Sequence, residues 1–366
     1  MARVVLLTGV SGYLGAEVAR ILRDEPEIER LIEVTGPATV GEGAGGPPGE
    51  SSQPGEPRRG EPGEPPPGQP GHPDEEVVRL DVRTAQIGDL INATAADTVI
   101  HLGIAAMPAR AGGRASMKEQ NVIGALQLLN ACQRSATVRK LVVRSSTAVY
   151  GTSARNPAVF TEDMEPRAGY GYARDVLDVE GYVRGLARRR PDITVSVLRF
   201  VNFLGPRVDS PLTRYFTMPV TPTVLGYDPR IQFVDISDGV EVIRRMVTEE
   251  HPGVYNVTGR GAMLISQCLR RAGRAVVPMP APALGTLADL GRGVVDVSPD
   301  QRDLLRYGRV VDGTKLEHEL DWVPRYSTQD AFARFVADRG LQESPAVGAV
   351  DRLLTALSAG MAREQK

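Results

Sequence analysis

Cysteine is almost missing from this chain. Two thiols in 366 residues, Cys132 and Cys268, exclude a disulfide framework or a cysteine-built zinc site. Each falls on the apolar side of a helical pattern, beside Leu129 and Ile265, so both are expected to be buried and inert. Charge of one sign is also missing. A formal net charge of −2 gives no field that would draw nucleic acid or an anionic membrane. Lysine occurs only at 118, 140, 315 and 366 while arginine, alanine, glycine and proline are abundant. That is the composition of a GC-rich bacterial genome and points to the cytoplasm. No apolar run is long enough to span a bilayer. Met1 to Leu7 runs straight towards a glycine-rich turn, without the charged segment, apolar core and cleavage site of a signal peptide. The one basic run, Arg188-Arg189-Arg190, stands before Pro191, at an expected helix C-terminus where cations suit the helix dipole.

What is present reads as alternating strands and helices. Short continuous apolar runs recur at Val4–Leu7, Leu31–Val34, Val77–Leu80, Thr98–Leu102, Leu141–Val143 and Val195–Val201. Continuous runs fit strands buried on both faces of a parallel sheet. Between them lie helical stripes, such as Leu14, Val18, Ile21 and Leu22, and later Val122, Leu126, Leu129 and Cys132. The pattern predicts α/β architecture, a doubly wound parallel sheet of right-handed βαβ units. Strands are also expected at Ile231–Ile236 and Gly253–Val257, and helices around 264–272 and 313–320. Residues 36–76 break the pattern. They are dominated by Gly, Pro and Glu and cannot bury enough surface to offset their ordering entropy, so a disordered insert is expected. At 346–361, Val347, Val350, Leu354, Leu357 and Met361 form one amphipathic helical stripe, suited to packing on the body or on a second subunit in a homodimer.

The strand Val4–Leu7 leads into Thr8-Gly9-Val10-Ser11-Gly12-Tyr13-Leu14-Gly15 and then a helix. One glycine permits a tight turn, one lets backbone approach a pyrophosphate, and one lets helix and strand pack closely. The helix N-terminus offers N–H groups and a positive dipole end to phosphates. A glycine triplet alone is weak, but one placed between a strand and an amphipathic helix is the context of dinucleotide binding.

These residues resemble the fingerprint of the extended short-chain dehydrogenases/reductases, the branch that holds NAD-dependent epimerases and dehydratases such as UDP-glucose 4-epimerase. Further ordered matches are Arg79-Leu80-Asp81-Val82, Val99-Ile100-His101-Leu102-Gly103, Asn121-Val122-Ile123-Gly124, Ser145-Ser146-Thr147-Ala148-Val149-Tyr150-Gly151, Leu198-Arg199-Phe200-Val201-Asn202 through Gly205-Pro206-Arg207, Asp312-Gly313-Thr314-Lys315-Leu316, and Leu320-Asp321-Trp322-Val323-Pro324. The resemblance implies a Rossmann domain over 1–202, a smaller α/β domain mainly for substrate over 203–345, and a C-terminal helix over 346–366. It implies that Gly9, Ser11, Gly12, Tyr13, Leu14, Gly15, Thr35, Asp81, Val82, Leu102, Gly103, Asn121, Tyr170 and Arg174 contact the cofactor. Ser146, Asn202 and Arg306 would contact a small-molecule substrate, with Arg199 beside them. No metal is implied.

Two departures bear on the chemistry. In the family a tyrosine handles the proton at the reacting oxygen, a serine steadies that oxygen, and a lysine four residues after the tyrosine lowers its pKa. Ser146 and Tyr170 match the first two positions, but the third is Arg174. A free tyrosine titrates near 10, so basic action near neutrality requires a drop worth about 4 kcal/mol. Arginine supplies a cation but no transferable proton. The NAD-selecting aspartate at the end of the second strand is replaced by Thr35, and no arginine follows it; NAD is favoured, with NADP as the alternative. A third departure concerns the substrate: the nucleotide-binding arginine falls one place early at Arg230, and Asp235 stands where a histidine is usual. Three readings result: an epimerase/dehydratase on a nucleotide sugar, an NAD(P)-dependent reductase of another carbonyl compound, and a non-catalytic dinucleotide-binding sensor or scaffold.

Overall fold

A computed structural model describes residues 3–36, 74–107, 112–283 and 299–341. The expected insert and the C-terminal stripe therefore fall almost wholly outside the described residues. One edge of the insert does not. The strand β3, Asp74–Arg79, begins inside the segment expected to be disordered.

Seven strands form one parallel sheet in the order β3-β2-β1-β4-β5-β6-β11. They are β1 (Arg3–Thr8), β2 (Ile28–Thr35), β3, β4 (Thr98–His101), β5 (Lys140–Ser146), β6 (Thr194–Phe200) and β11 (Gly253–Val257). Alternate residues of each strand point to opposite faces, and both faces are covered. Val5, Leu7, Ile100, Val142 and Leu198 join one core cluster. Leu6, Val99, Leu141 and Val143 join the other. This double burial is why the strands read as unbroken apolar runs. The order reverses direction between β1 and β4, and the crevice outside the strand C-termini at such a switch point is where open α/β sheets bind ligands.

Helix α1 (Tyr13–Arg23) buries Leu14, Val18, Ala19 and Leu22 and carries Arg20 and Arg23 in its last turn, where cations suit the dipole. It is followed by α2 (Gln86–Thr94), α3 (Arg114–Lys118), a widened π-turn over Glu119–Ile123 and α4 (Gly124–Arg134). Helix α5 (Gly171–Arg189) ends in the basic run. Arg190 donates to Gln133 and Ser135 carbonyls at 2.9 Å, so it also satisfies the end of α4. Cys132 and Cys268 are buried, and burial pushes both thiols up to about 12, which makes them unreactive.

After β6 the chain leaves the sheet. It forms β7 (Asn202–Leu204), α6 (Pro211–Thr217), β8 (Val220–Val224), β9 (Arg230–Ile231), β10 (Phe233–Asp235), α7 (Ile236–Thr248), then, after β11, β12 (Met263–Leu264), α8 (Ile265–Arg271) and β13 (Ala275–Met279), and finally α9 (Pro299–Tyr307), α10 (Thr314–Glu319) and α11 (Thr328–Asp338). Three two-stranded sheets pair β7 with β10, β9 with β12 and β8 with β13. Phe216, Phe233, Phe332 and Phe335 fill the core between them. The expected strand Ile231–Ile236 is divided at Gln232, whose side chain accepts from Val311 N at 2.7 Å and donates to the Gly261 carbonyl at 3.1 Å. Segment 203–345 is not one body. Strand β11 pairs with β6 at the edge of the main sheet. Helix α7 packs on the α1 face, where Arg244 pairs with Glu25 at 2.8 Å.

Candidate active site

The turn after β1 uses its three glycines differently. Gly9 has φ +87°, and a Cβ there would lie 2.4 Å from Gly103 N. A Cβ on Gly15 would lie 2.3 Å from the Gly9 carbonyl oxygen. Both are fixed by the protein's own close packing. Gly12 is different: its nearest neighbour would be the Gly9 oxygen at 3.8 Å, so the fold itself does not demand a glycine there. Gly12 is the residue before α1, and no side chain caps that helix. The open face of the turn and the helix N-terminus thus point into the same space, which suits a pyrophosphate. Behind the turn, the Thr8 hydroxyl and His101 Nδ1 lie 2.8 Å apart. Burial pushes His101 down to about 4, so it is a neutral core group.

Leu102 and Gly103 follow β4 against this turn, and the chain beyond them is clasped by Asn121. Its side chain accepts from Ala105 N at 2.8 Å and donates to the Ala105 carbonyl at 2.9 Å. The π-turn puts Asn121 in that position. At the far end of the switch point, the Thr35 hydroxyl turns back to the Val78 carbonyl at 3.4 Å. Asp81 accepts from Arg83 N at 2.9 Å and from its guanidinium at 2.7 Å; these bonds hold the Asp81 carboxyl below its usual range. Val82 packs against the α4 N-terminus, where a Cβ on Gly124 would come within 3.1 Å of it.

One cavity of about 660 Å³ joins the two halves. Ser11, Gly12, Tyr13, Leu14, Ser146, Tyr170 and Asn202 all line it. Ser146 ends β5 and its Oγ accepts from Ala148 N at 3.2 Å, which orients the hydroxyl. Tyr170 precedes α5 and is 48% exposed. Its hydroxyl donates to the Asp303 carboxylate. Burial and that carboxylate push Tyr170 up to about 12, away from the range a base requires.

Three arginines expected at the reacting end of the site, Arg174, Arg306 and Arg199, lie elsewhere. Arg174 is not among the cavity's lining residues; its Nε pairs with Asp178 at 3.0 Å on the outer face of α5. The four-residue spacing puts two side chains on one face only if both are helical. Tyr170 is extended, with φ −154° and ψ 178°, and Gly171 reverses the chain at φ +65°. Arg306 also turns away: its guanidinium lies over the Tyr227 and Tyr307 rings and donates to the Tyr227 hydroxyl at 3.0 Å. Arg199, expected beside the substrate, is buried under the sheet's end, paired with Glu180 at 2.7 Å and donating to the Tyr150 hydroxyl at 2.9 Å. Asp235 caps α7, accepting from Ser237 N at 2.9 Å.

The structure adds residues that the sequence did not single out. Helix α9 brings Asp300 and Asp303 to the cavity wall, and Arg309 follows it. Arg309 donates to the Thr152 hydroxyl at 3.0 Å, and burial pushes it down to about 10. The i,i+3 spacing of the two aspartates was a usable signal, but it stood in a segment broken by Pro and Gly.

The sequence pattern of the NAD dependent epimerase/dehydratase family matches residues 5–258. The chain belongs to that family. An uncharacterised protein of Mycobacterium tuberculosis is 37% identical over 343 residues, which cover 93% of this chain and 85% of the relative. A UDP-glucose 4-epimerase of Pisum sativum is 26% identical over 200 residues, covering 46% of this chain and 56% of that protein. Among solved structures, MoeE5 in complex with UDP-glucuronic acid and NAD superposes with a TM-score of 0.64 at 19% identity, covering 92% of this chain and 99% of that one. The UDP-glucose 4-epimerase of Thermotoga maritima with UDP-glucose also gives 0.64, at 16% identity and with 92% and 98% covered. These likenesses establish the epimerase/dehydratase fold. Among the described residues no helix is long and apolar enough to cross a membrane, and no group of His, Cys, Asp and Glu could hold a metal ion.

Proposed function

We propose that this family member binds NAD across the glycine turn and acts on a nucleotide sugar by an epimerase- or dehydratase-type hydride transfer. The observation that carries this reading is the single cavity in which the open face at Gly12 meets Ser146, Tyr170 and Asn202. When bound, NAD supplies an acceptor, and later a donor, of hydride. The chain's own residues do the rest. Gly12 leaves room for the pyrophosphate, with Ser11, Tyr13 and Leu14 around it. Leu102, Gly103 and Asn121 shape the wall beside the turn. Thr35, Asp81 and Val82 border the adenosine end, and the Arg83 guanidinium there is already engaged by Asp81, which favours NAD over NADP. Ser146 hydrogen-bonds the reacting oxygen, Tyr170 handles its proton, and Asn202 and Arg309 meet the substrate's polar groups. The sheet body would hold the dinucleotide, and the small sheets with α9 the substrate. The ligands named for the structurally similar proteins, UDP-glucuronic acid, UDP-glucose and NAD, support the same reading.

The test is turnover of a panel of UDP- and dTDP-sugars with NAD, followed by product epimers and nicotinamide absorbance. Tyr170→Phe and Ser146→Ala should each lower kcat about 100-fold or more without weakening NAD binding. One observation favours a second reading, a dinucleotide-binding sensor. Tyr170 faces a carboxylate, and Arg174 is turned to Asp178. Wild-type protein that binds NAD and turns over nothing in the panel selects that reading.

A further inference from the structure

Tyr170 sits in a site built around carboxylates. Helix α9 approaches the N-terminus of α5 so closely that a Cβ on Gly171 would lie 2.2 Å from Asp300 Oδ2. Asp300 accepts from Ala173 N at 3.4 Å. On the other side, Arg114 donates to the Gly171 carbonyl at 2.8 Å and pairs with the buried Asp175 at 2.6 Å. The turn that carries Tyr170 is thereby fixed, and its hydroxyl is delivered to Asp303. Both residues line the cavity that holds Ser146.

We propose that Asp303 is the proton acceptor behind Tyr170, holding its phenol as a donor and accepting its proton when Tyr170 takes one from a substrate hydroxyl. The step balances. The substrate O–H bond breaks and a new Tyr170 O–H bond forms; the phenol's original O–H bond breaks and an Asp303 O–H bond forms. The electron pair of the adjacent C–H bond leaves as hydride, for which the oxidant is a nicotinamide dinucleotide. The return of hydride and proton reverses each change.

Charge decides between this relay and a phenolate base. A neighbouring cation favours phenolate, whereas a neighbouring carboxylate disfavours it. The charged groups facing Tyr170 are Asp303, Asp300 and Arg302, all from α9. From α5, Arg174 is committed to Asp178, and from α3, Arg114 is committed to Asp175. Burial and the carboxylates together outweigh Arg302, so the phenol keeps its proton and the base is one bond further out. Asp303 acts through Tyr170 and is a positioning residue in that sense.

The turnover part of this proposal rests on the function proposed above; the pairing does not. The pairing is tested on protein without ligands, by phenolate absorbance titrated against Tyr170→Phe as the blank, so that the difference isolates one tyrosine. In the wild type the Tyr170 midpoint is expected well above the ordinary tyrosine value, at about 12. Asp303→Asn should move the midpoint down towards the ordinary tyrosine value of about 10, and Asp303→Glu should leave it high. Circular dichroism checks that both variants fold. An unchanged midpoint in Asp303→Asn overturns the proposal, whatever the protein's activity. Where turnover is found, Asp303→Asn should lose about 100-fold in kcat at neutral pH and recover with rising pH, with partial rescue in Asp303→Glu. Full neutral-pH activity in Asp303→Asn would overturn the relay. A wild type that turns over nothing sinks the functional reading instead, and the titration still decides the pair.

Discussion

At the scale of single residues, Arg199 shows how position and role can separate. Its side chain is 3% exposed and that of Glu180 2%, joined at 2.7 Å. Ser145 adds a bond to Glu180 at 2.5 Å, and Tyr150 links the group to Asn256 at 2.8 Å. Removing Arg199 leaves the Glu180 carboxylate buried with only the more distant Arg184 guanidinium, at 3.6 Å, as a charged partner. Arg199→Ala should therefore destabilise the fold by roughly 3–5 kcal/mol, read as a lower midpoint in urea unfolding. A midpoint within error of wild type would mean that the network carries no stability. Arg174 is the opposite case, an exposed ion pair worth about 1 kcal/mol or less. Arg174→Lys should not raise kcat, although it restores the residue usual in the family; a gain would place that side chain in the cavity after all. The glycines were legible in the sequence because they stand at fixed spacing between a strand and an amphipathic helix, a context that needs no distant partner to be read. The Tyr170–Arg174 relation was not, since reading it required knowing that Tyr170 precedes the helix and that Gly171 reverses the chain. The pairing of Asp303 with Tyr170 was not legible for a similar reason: the two meet across 133 positions.

At the scale of elements, the seven-stranded sheet was legible because burial on both faces leaves runs such as Val5-Leu6-Leu7, each fully buried. The second half was not. Strands of two to five residues, such as β7 with β10 or β8 with β13, are defined by distant partners and carry too little periodicity to announce themselves. The connection between β2 and β3 makes an element-scale prediction. The strands are parallel, with Arg30 opposite Asp74 and Thr35 opposite Arg79, so the link must return along the strand length. A parallel crossover takes a dozen or more residues. Replacing 40–72 by a flexible Gly/Ser segment of about ten residues should leave the melting temperature and NAD affinity nearly unchanged, because loop length costs little. Joining 39 directly to 73 should detach β3 and lower the melting temperature. A loss of solubility or of NAD binding on replacement would show that residues 40–72 pack or bind something.

At the scale of the molecule, the cavity belongs to neither half alone. The sheet contributes the glycine turn and Ser146, the start of α5 contributes Tyr170, and the later segments contribute Asn202, Asp303 and Arg309. Ligand binding should therefore stabilise the whole chain, by about 2.7 kcal/mol at a concentration one hundred times Kd. The central claim is that the open face of the first turn exists for a dinucleotide. Its most direct test is calorimetric titration of NAD and NADH into the wild type and into Gly12→Val, with unfolding followed on the same samples. Outside its chain neighbours, a Cβ at Gly12 meets no protein atom nearer than 3.8 Å, so the variant should fold, with a melting temperature lowered only by the poorer helix N-cap, and bind neither form. Unchanged affinity in a folded Gly12→Val protein would contradict the account.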